Sequence, residues 1–347
     1  MKRYYLLQTD NHYMAHMLVT ALSVRHHAPA EEESVFYVID DGLSEENRAR
    51  GRDFSARYAC KVIFLDGRAM SASLRALGVP PWRGGYTTYL KLFALDEIRD
   101  ADRVLYLDSD VIVKRDISSV FDCLDSTDAP LAMAEDMTVS FRAAYKKYLF
   151  GEGGEHVIYY NAGVILFDLP RWREYGCEKR VLEFIQSHQK RLMYCEQDIL
   201  NILFRGRIET LSNTYNYCTP LLFYHSHLMG KLFGWDGAHT RAYDALSDQY
   251  AIGHCFAVLG DRPWHTESLH PLAPDYRALY EEIFKKTFKG TPAAHARVTL
   301  AQRVLYRVCR PLYVVLHRYA TKRSYARFIQ NATREERGSY GKSTHGE

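Results

Sequence analysis

The chain has 347 residues, 47% of them apolar and 25% charged, with a net charge of +3. Such a chain buries a sizeable core, as one large α/β domain with an appendage or as two domains, and its charge is too small to argue for a nucleic-acid partner. The seven cysteines are scattered, no two closer than 18 residues, which excludes a Cys-x-x-Cys zinc ribbon or thioredoxin-like site and suits reduced thiols in the cytosol.

Tyr4–Leu7 reads as a first strand ending at Gln8-Thr9-Asp10-Asn11, with a charge arriving too early for a secretory leader. Met14–His26 follows, with Met17, Leu18, Ala21, Leu22 and Val24 at helical spacing. Val35–Ile39, closed by Asp40-Asp41-Gly42, is a second strand. Ser44 is an N-cap for a helix through Tyr58, and Val62–Leu65 is a third strand. This alternation predicts βαβ units, a parallel sheet and ligand crevices at its edge. Leu74–Gly85 reads as a loop, and Thr87-Thr88-Tyr89 leads into a helix over Leu90–Ile98.

Arg103-Val104-Leu105-Tyr106-Leu107-Asp108-Ser109-Asp110 is a buried strand ending in two acids one residue apart, after which Val111-Ile112-Val113 turns apolar again. Ligands bind outside the carboxyl ends of strands in open α/β sheets, where an Asp-x-Asp offers hard oxygen ligands to a divalent cation. Taken alone, the pair is more simply a solvated turn. Ile117–Leu124 is a short helical pattern, Leu131–Ala134 a strand ending at Glu135-Asp136, and Tyr145–Gly154 a polar loop. Tyr159-Tyr160-Asn161-Ala162-Gly163 is a small-residue turn entering a buried strand through Asp168. Arg171–His188 reads as one amphipathic helix, and Glu196-Gln197-Asp198 opens another. Ile208–Leu211 and Tyr215–Tyr217 read as short strands, Ala251–His254 as a strand end, and Asp261–His265 as a turn.

Beyond about Leu272 the composition turns basic: from Lys285 to Gly338, Lys and Arg outnumber the two acids, Glu335 and Glu336, several-fold. Val304, Leu305, Val308, Leu312, Val315, Leu316 and Tyr319 share one helical arc, with Arg303, Arg307, Arg310 and Arg318 opposite and a kink expected at Pro311. A basic amphipathic helix of this kind suits an anionic membrane surface. No run of about 18 apolar residues suggests a spanning helix.

Four pieces now stand in order: Leu-Tyr-Leu-Asp-x-Asp at 105–110, Tyr-x-Asn-Ala-Gly-Val at 159–164, Gln-Asp-Ile-Leu-Asn at 197–201, and His254 followed by Pro263-Trp264. In order and spacing the series resembles glycosyltransferase family 8, and most closely the bacterial retaining α-galactosyl- and α-glucosyltransferases of lipopolysaccharide cores, over about residues 3 to 270. The resemblance implies a GT-A fold (α/β, Rossmann-like, with a mostly parallel central sheet flanked by helices) over residues 1–270 and a helical basic extension over 271–347. It implies a UDP-sugar donor and Mn²⁺, with Mg²⁺ as the other candidate, held by Asp108, Asp110 and His254. It places Asp10 at uracil, Lys91 at diphosphate or sugar in place of the usual Arg, and Ser109, Asn161, Ala162 and Gly163 along the donor. Gln197 falls on the reactive face of the sugar, and Glu196 where relatives carry Asp against a sugar hydroxyl; these are the catalytic candidates. His12 replaces a common Asn. The stretch from His254 to Trp264 is two residues longer than usual, leaving Gly260 and Arg262 to reach the phosphates.

The function expected is Mn²⁺-assisted transfer of galactose or glucose from a UDP-sugar to a bacterial surface glycan or lipid-linked acceptor. The expected place is the cytoplasmic face of the membrane, reached through the basic helix, with no nucleic acid involved. A non-catalytic UDP-sugar-binding membrane protein is the alternative. A sugar nucleotidyltransferase is disfavoured, because Gln8-Thr9-Asp10-Asn11 has neither a Gly-rich phosphate loop nor a basic residue.

Overall fold

The structure is a computed structural model that describes residues 1–138, 142–188, 192–233, 237–293 and 296–343. The chain opens with β1 (Lys2–Thr9), α1 (Met14–His27), β2 (Glu33–Asp40), α2 (Glu45–Arg57) and β3 (Lys61–Asp66), the predicted βαβαβ run. Ser44 caps α2 by accepting from the Asn47 amide. Next come α3 (Gly67–Ala76), α4 (Thr87–Phe93), β4 (Arg103–Leu107), β5 (Val111–Val113) and β6 (Leu131–Glu135). Then follow α5 (Ala143–Phe150), β7 (Tyr160–Asp168), α6 (Leu169–Glu174), α7 (Cys177–Ser187), α8 (Glu196–Leu203) and β8 (Ile208–Leu211). The rest is β9 (Tyr217–Cys218), α9 (Pro220–Phe233), α10 (Gly237–Asp244), β10 (Ile252–His254), α11 (Ala273–Phe284), α12 (Ala296–Val308) and α13 (Arg310–Ser343).

Seven strands form one twisted sheet in the order β3-β2-β1-β4-β7-β6-β8, with β7 running against its neighbours and the other pairs parallel. The strands are continuous apolar runs because both faces are covered. Tyr5 and Leu7, Phe36 and Val38, and Leu105 and Leu107 enter the core shared with α1 and α11. The alternating residues Leu6, Val35, Tyr37, Val104 and Tyr106 enter the opposite core, with α4 and α6 to α8.

The topology also places the site. The carboxyl ends of β1, β4 and β6 lie on one edge, and β7, being antiparallel, begins there. A second, small sheet, β5-β10-β9, sits beside that edge. Val111 of β5 pairs with His254 of β10, so the residue before β5, Asp110, is carried to the end of β10.

Several elements depart from the sequence reading. Tyr145–Gly154 is largely α5, since Tyr145 and Leu149, one turn apart, both face inward. Arg171–His188 is two helices, divided at Gly176. Residues 213–215 form a 3₁₀ turn ahead of β9 where a strand was expected, and α3 takes the first part of the expected 74–85 loop. In the tail, Pro311 does not kink one helix. The chain breaks at Cys309, and Pro311 sits in the first turn of α13, where its missing N–H costs nothing. α11 supplies Tyr276, Leu279 and Ile283 to the core beneath α1, whereas α12 and α13 lie against α9.

At the α1–α11 junction, His16 Nδ1 lies 2.6 Å from the Tyr276 hydroxyl, and its ring lies 4.3 Å from Trp264. Burial lowers the pKa of His16 from 6.5 to about 4, and that of His270 to about 4 as well. The unfolded chain therefore binds more protons between these values. The contribution is complete above about pH 6.5 and is lost as pH falls towards 4. We expect urea midpoints to fall from pH 7 to pH 5, with a shallower fall in His16→Gln; an equal slope in that variant would contradict this.

Candidate functional site

Asp108 follows the last residue of β4, where Leu107 pairs with Val164, and its backbone N–H donates to the Gly163 carbonyl at 2.8 Å. Asp110 precedes β5, and its carbonyl accepts from the Cys255 N–H at 2.9 Å. Two strand pairings thus hold the two acids from opposite sides. His254 Nε2 lies 3.3 Å from Asp110 Oδ1 and 3.8 Å from Asp108 Oδ2. Among the described residues this is a cluster whose ligand atoms all lie within 4.8 Å of one another.

His254 Nδ1 contacts Asn216 Oδ1 at 2.9 Å, which assigns the ring hydrogen to Nδ1 and turns Nε2 towards the acids. Asn216 in turn donates to Asn161 Oδ1 at 2.8 Å. Two carboxylates and an oriented imidazole fit a divalent cation. Gly163 is needed locally. A Cβ there would lie 2.2 Å from His254 Cε1, so the glycine leaves room for the imidazole.

Burial alone would raise the Asp110 carboxyl, but His254 and Arg262 outweigh it and hold it well below the usual carboxylate range. Arg262 Nη1 donates to Asp110 Oδ2 at 2.9 Å and also to the Cys255 carbonyl. Arg262 follows a tight turn, Val258–Asp261, whose central residues Leu259 and Gly260 both have positive φ, at 51° and 76°. Gly260 forms this turn.

Lys91 is not an exposed helix lysine. Its Nζ is buried, 3.1 Å from Glu196 Oε1, 3.4 Å from Asp108 Oδ1 and 4.1 Å from the Tyr106 ring centre. Burial would lower its pKa, but Asp108, Tyr106 and Glu196 hold it well above its ordinary value. Tyr106 donates to Asp108 Oδ1 at 2.6 Å. Ser109 donates to the Gln8 carbonyl, tying the acid pair to β1.

Gln197 stands behind this group, buried, with both ends of its amide engaged. Oε1 accepts from the Ala162 N–H at 3.0 Å and from Asn161 Nδ2 at 3.2 Å, and Nε2 donates to Asp136 Oδ2 at 3.0 Å. One turn later, Asn201 bonds both the N–H and the carbonyl of Tyr160, locking α8 to the start of β7.

An open cavity of about 320 Å³ lies in front of the acids, lined by Asp10, Tyr13, Lys91, Asp108, Asp110 and Glu196 among others. Asp10 Oδ1 accepts from the N–H groups of His12 and Tyr13 at 2.8 Å each, so this carboxylate also shapes the turn into α1. Asn161, Ala162, Gly163, Gln197 and His254 form the buried wall behind. Sequence reading missed Asp136, Asn216, Tyr13 and Tyr106. Asp136 carried a usable signal, an acid at the carboxyl end of a buried strand; Asn216 carried none.

The model of glycosyl transferase family 8 matches residues 5–267. The chain belongs to this family. A Haemophilus influenzae protein is 24% identical over 62% of this chain and 63% of its own length. The lipopolysaccharide 1,2-glucosyltransferase of Escherichia coli is 26% identical over 56% of this chain and 53% of its own. The chain thus matches less than two thirds of the length of these relatives. Among solved structures, the galactosyltransferase LgtC in complex with donor and acceptor sugar analogs is similar at TM-score 0.65 and 27% identity, over 86% of this chain and all of that one. The family fold agrees with the mixed α/β sheet and the helical C-terminus, and family members typically bind a divalent metal.

Two substitutions test the metal geometry. Asn216→Ala should weaken Mn²⁺ binding roughly 10- to 100-fold by releasing His254. Gly163→Ala should do so at least as strongly, by displacing the ring. Electron paramagnetic resonance titration measures both, and unchanged affinity in the two variants would contradict this arrangement.

Proposed function

We propose that this chain is a retaining glycosyltransferase. On this reading it moves a hexose, galactose or glucose, from a UDP-sugar to a bacterial surface glycan or lipid-linked acceptor. The observation that carries the reading is the convergence of Asp108, Asp110 and His254 beside a cavity that also presents Lys91, Asp10 and an exposed aromatic ring, Tyr13.

A divalent cation held by the three ligands, Mn²⁺ by preference, would neutralise charge on the departing diphosphate as a Lewis acid. Arg262, one hydrogen bond from that position, supplies a second positive charge for the same anion. Asp10 and Tyr13 provide a hydrogen-bond acceptor and a stacking face for a base, and Glu196, braced by Lys91, an acceptor for sugar hydroxyls. The acceptor hydroxyl oxygen forms its bond to the sugar C1 on the face that UDP leaves. The C1–O bond breaks with its electron pair going to UDP, and the acceptor's proton passes to the departing phosphate oxygen. Gln197 is a neutral amide and a poor nucleophile, so its role is electrostatic. On this reading its clamped dipole stabilises a short-lived oxocarbenium-like centre.

The tail supports placement at the cytoplasmic face of a membrane. Val304, Val308, Leu312, Val315, Leu316 and Tyr319 are between 46% and 80% exposed, turned away from the domain, and Arg307, Arg310 and Arg318 are exposed on the same two helices. No helix among the described residues is long and apolar enough to cross a membrane. Contact with an anionic lipid surface buries the apolar strip and satisfies the cations.

Purified chain with Mn²⁺ should slowly hydrolyse one member of a UDP-sugar panel. Asp110→Ala should abolish this, and Gln197→Ala should lower kcat by about 10²- to 10³-fold. Absence of both UDP binding and hydrolysis would sink the proposal. The chain should co-sediment with anionic but not neutral vesicles, and Val308→Glu with Leu312→Glu should release it; equal retention of that variant would refute the lipid contact.

A further inference from the structure

The loop that carries Arg262 is organised by a buried anion. Asp261 is fully buried. Its Oδ2 accepts from the Leu269 N–H at 2.6 Å, Ser268 Oγ at 2.9 Å and Arg303 Nη2 at 3.0 Å. Its Oδ1 lies 3.1 Å from both the Arg262 N–H and His265 Nδ1. A carboxylate withdrawn from water needs a paired charge and filled lone pairs. His265 Nδ1 also lies 3.1 Å from the Arg262 N–H, so it stands between the carboxylate and that amide. A guanidinium stays charged at any physiological pH, so the permanent cation at Asp261 is Arg303, which belongs to α12, outside the residues matched by the family model.

A second link joins the tail to the same turn. The Leu259 N–H donates to the Tyr224 hydroxyl at 3.2 Å, and that hydroxyl pairs with Tyr313 of α13 at 2.8 Å. Leu259 is a non-glycine residue at φ 51°, a conformation that persists only where its surroundings hold it. Farther along α13, Tyr325 pairs with the Tyr194 hydroxyl at 2.7 Å, and the Tyr194 N–H donates to Asp198 Oδ2 at 2.8 Å, beside Glu196 and Gln197. The two C-terminal helices thus touch both the Arg262 loop and the start of α8.

We infer that α12 and α13 are working parts of the donor site, with Arg303 a positioning residue that fixes the Asp261 hub so that Arg262 points at the diphosphate position, and Tyr313 a second prop for the same turn. This rests on the UDP-sugar reading for its effect on donor binding, but not for its effect on the loop. Residues 261 and 262 act back to back: Asp261 faces α12 and Arg262 faces Asp110. Removing the Arg303 charge leaves Asp261 buried without a cation, and the cheapest relief is for the turn to open and carry Arg262 away.

The test uses the full chain and the variants Arg303→Met, Arg303→Lys and Tyr313→Phe. Hydrogen exchange should rise at least tenfold at the amides of Leu259, Asp261 and Arg262 in Arg303→Met, several-fold in Tyr313→Phe, and little in Arg303→Lys. Calorimetry with UDP and Mn²⁺ should show about a tenfold weaker Kd in Arg303→Met, restored by Arg303→Lys. KM for the donor should rise while kcat at saturation changes little. Unchanged exchange in both Arg303→Met and Tyr313→Phe would overturn the inference, as would faster exchange with unchanged UDP affinity. If Arg303→Met fails to fold, Tyr313→Phe decides by the same readouts. A wild-type chain that binds no UDP defeats the proposed function instead, and the exchange measurement still judges the loop.

Discussion

The three-residue antiparallel pairing of β5 with β10 brings a histidine late in the chain against an acid pair from its first third, and the rest of the site is arranged around that contact. Asp110 and His254 are held at the ends of paired strands, so neither depends on a flexible loop for its position. The second acid, Asp108, is held from the other side by β7 through Gly163. The absence of a side chain at Gly163 then admits the imidazole that completes the cluster. Backbone pairing sets the distances, and Asn216 sets the orientation of the ring.

Concentrating carboxylates at a sheet edge costs free energy unless cations accompany them. Here Lys91 spans Asp108 and Glu196, and Arg262 covers Asp110. The two are held differently. Lys91 is enclosed, with donors directed to three oxygens, and is a fixed part of the wall. Arg262 sits on a turn with two left-handed residues and is kept in place by Asp261 beside it. A cleft built this way pairs its carboxylates with one cation from the wall and one from the turn.

Much of the fold was legible because both faces of the sheet are covered, which makes β1, β2 and β4 unbroken apolar runs, and because each run stops at an acid or amide. The acids at 108 and 110 were visible as residue types, but their meaning came from the ordered series that includes Asn161, Gln197 and His254. Asp136 was overlooked although it ends a strand as Asp108 does. Asn216 lies in irregular chain, and only the folded contact reveals it. Lys91 was placed at the site by the resemblance, but its burial between Asp108 and Glu196 was not legible, because the periodicity of a short helix does not say which end of it is buried. In the tail, one arc was drawn through α12 and α13, but the break at Cys309 resets the helical phase. Within α12, Arg303 turns inward to Asp261 and Leu305 packs on the core beside α9, while Val304 and Val308 stay exposed.

Diffraction at the manganese absorption edge, from crystals grown with Mn²⁺ and UDP, tests the central claim most directly. The account predicts an anomalous peak bridging a carboxylate oxygen of Asp108, one of Asp110, His254 Nε2 and the diphosphate, with Arg262 moved from Asp110 onto a phosphate oxygen. A peak elsewhere, or a diphosphate bound without His254 at the ion, would contradict it.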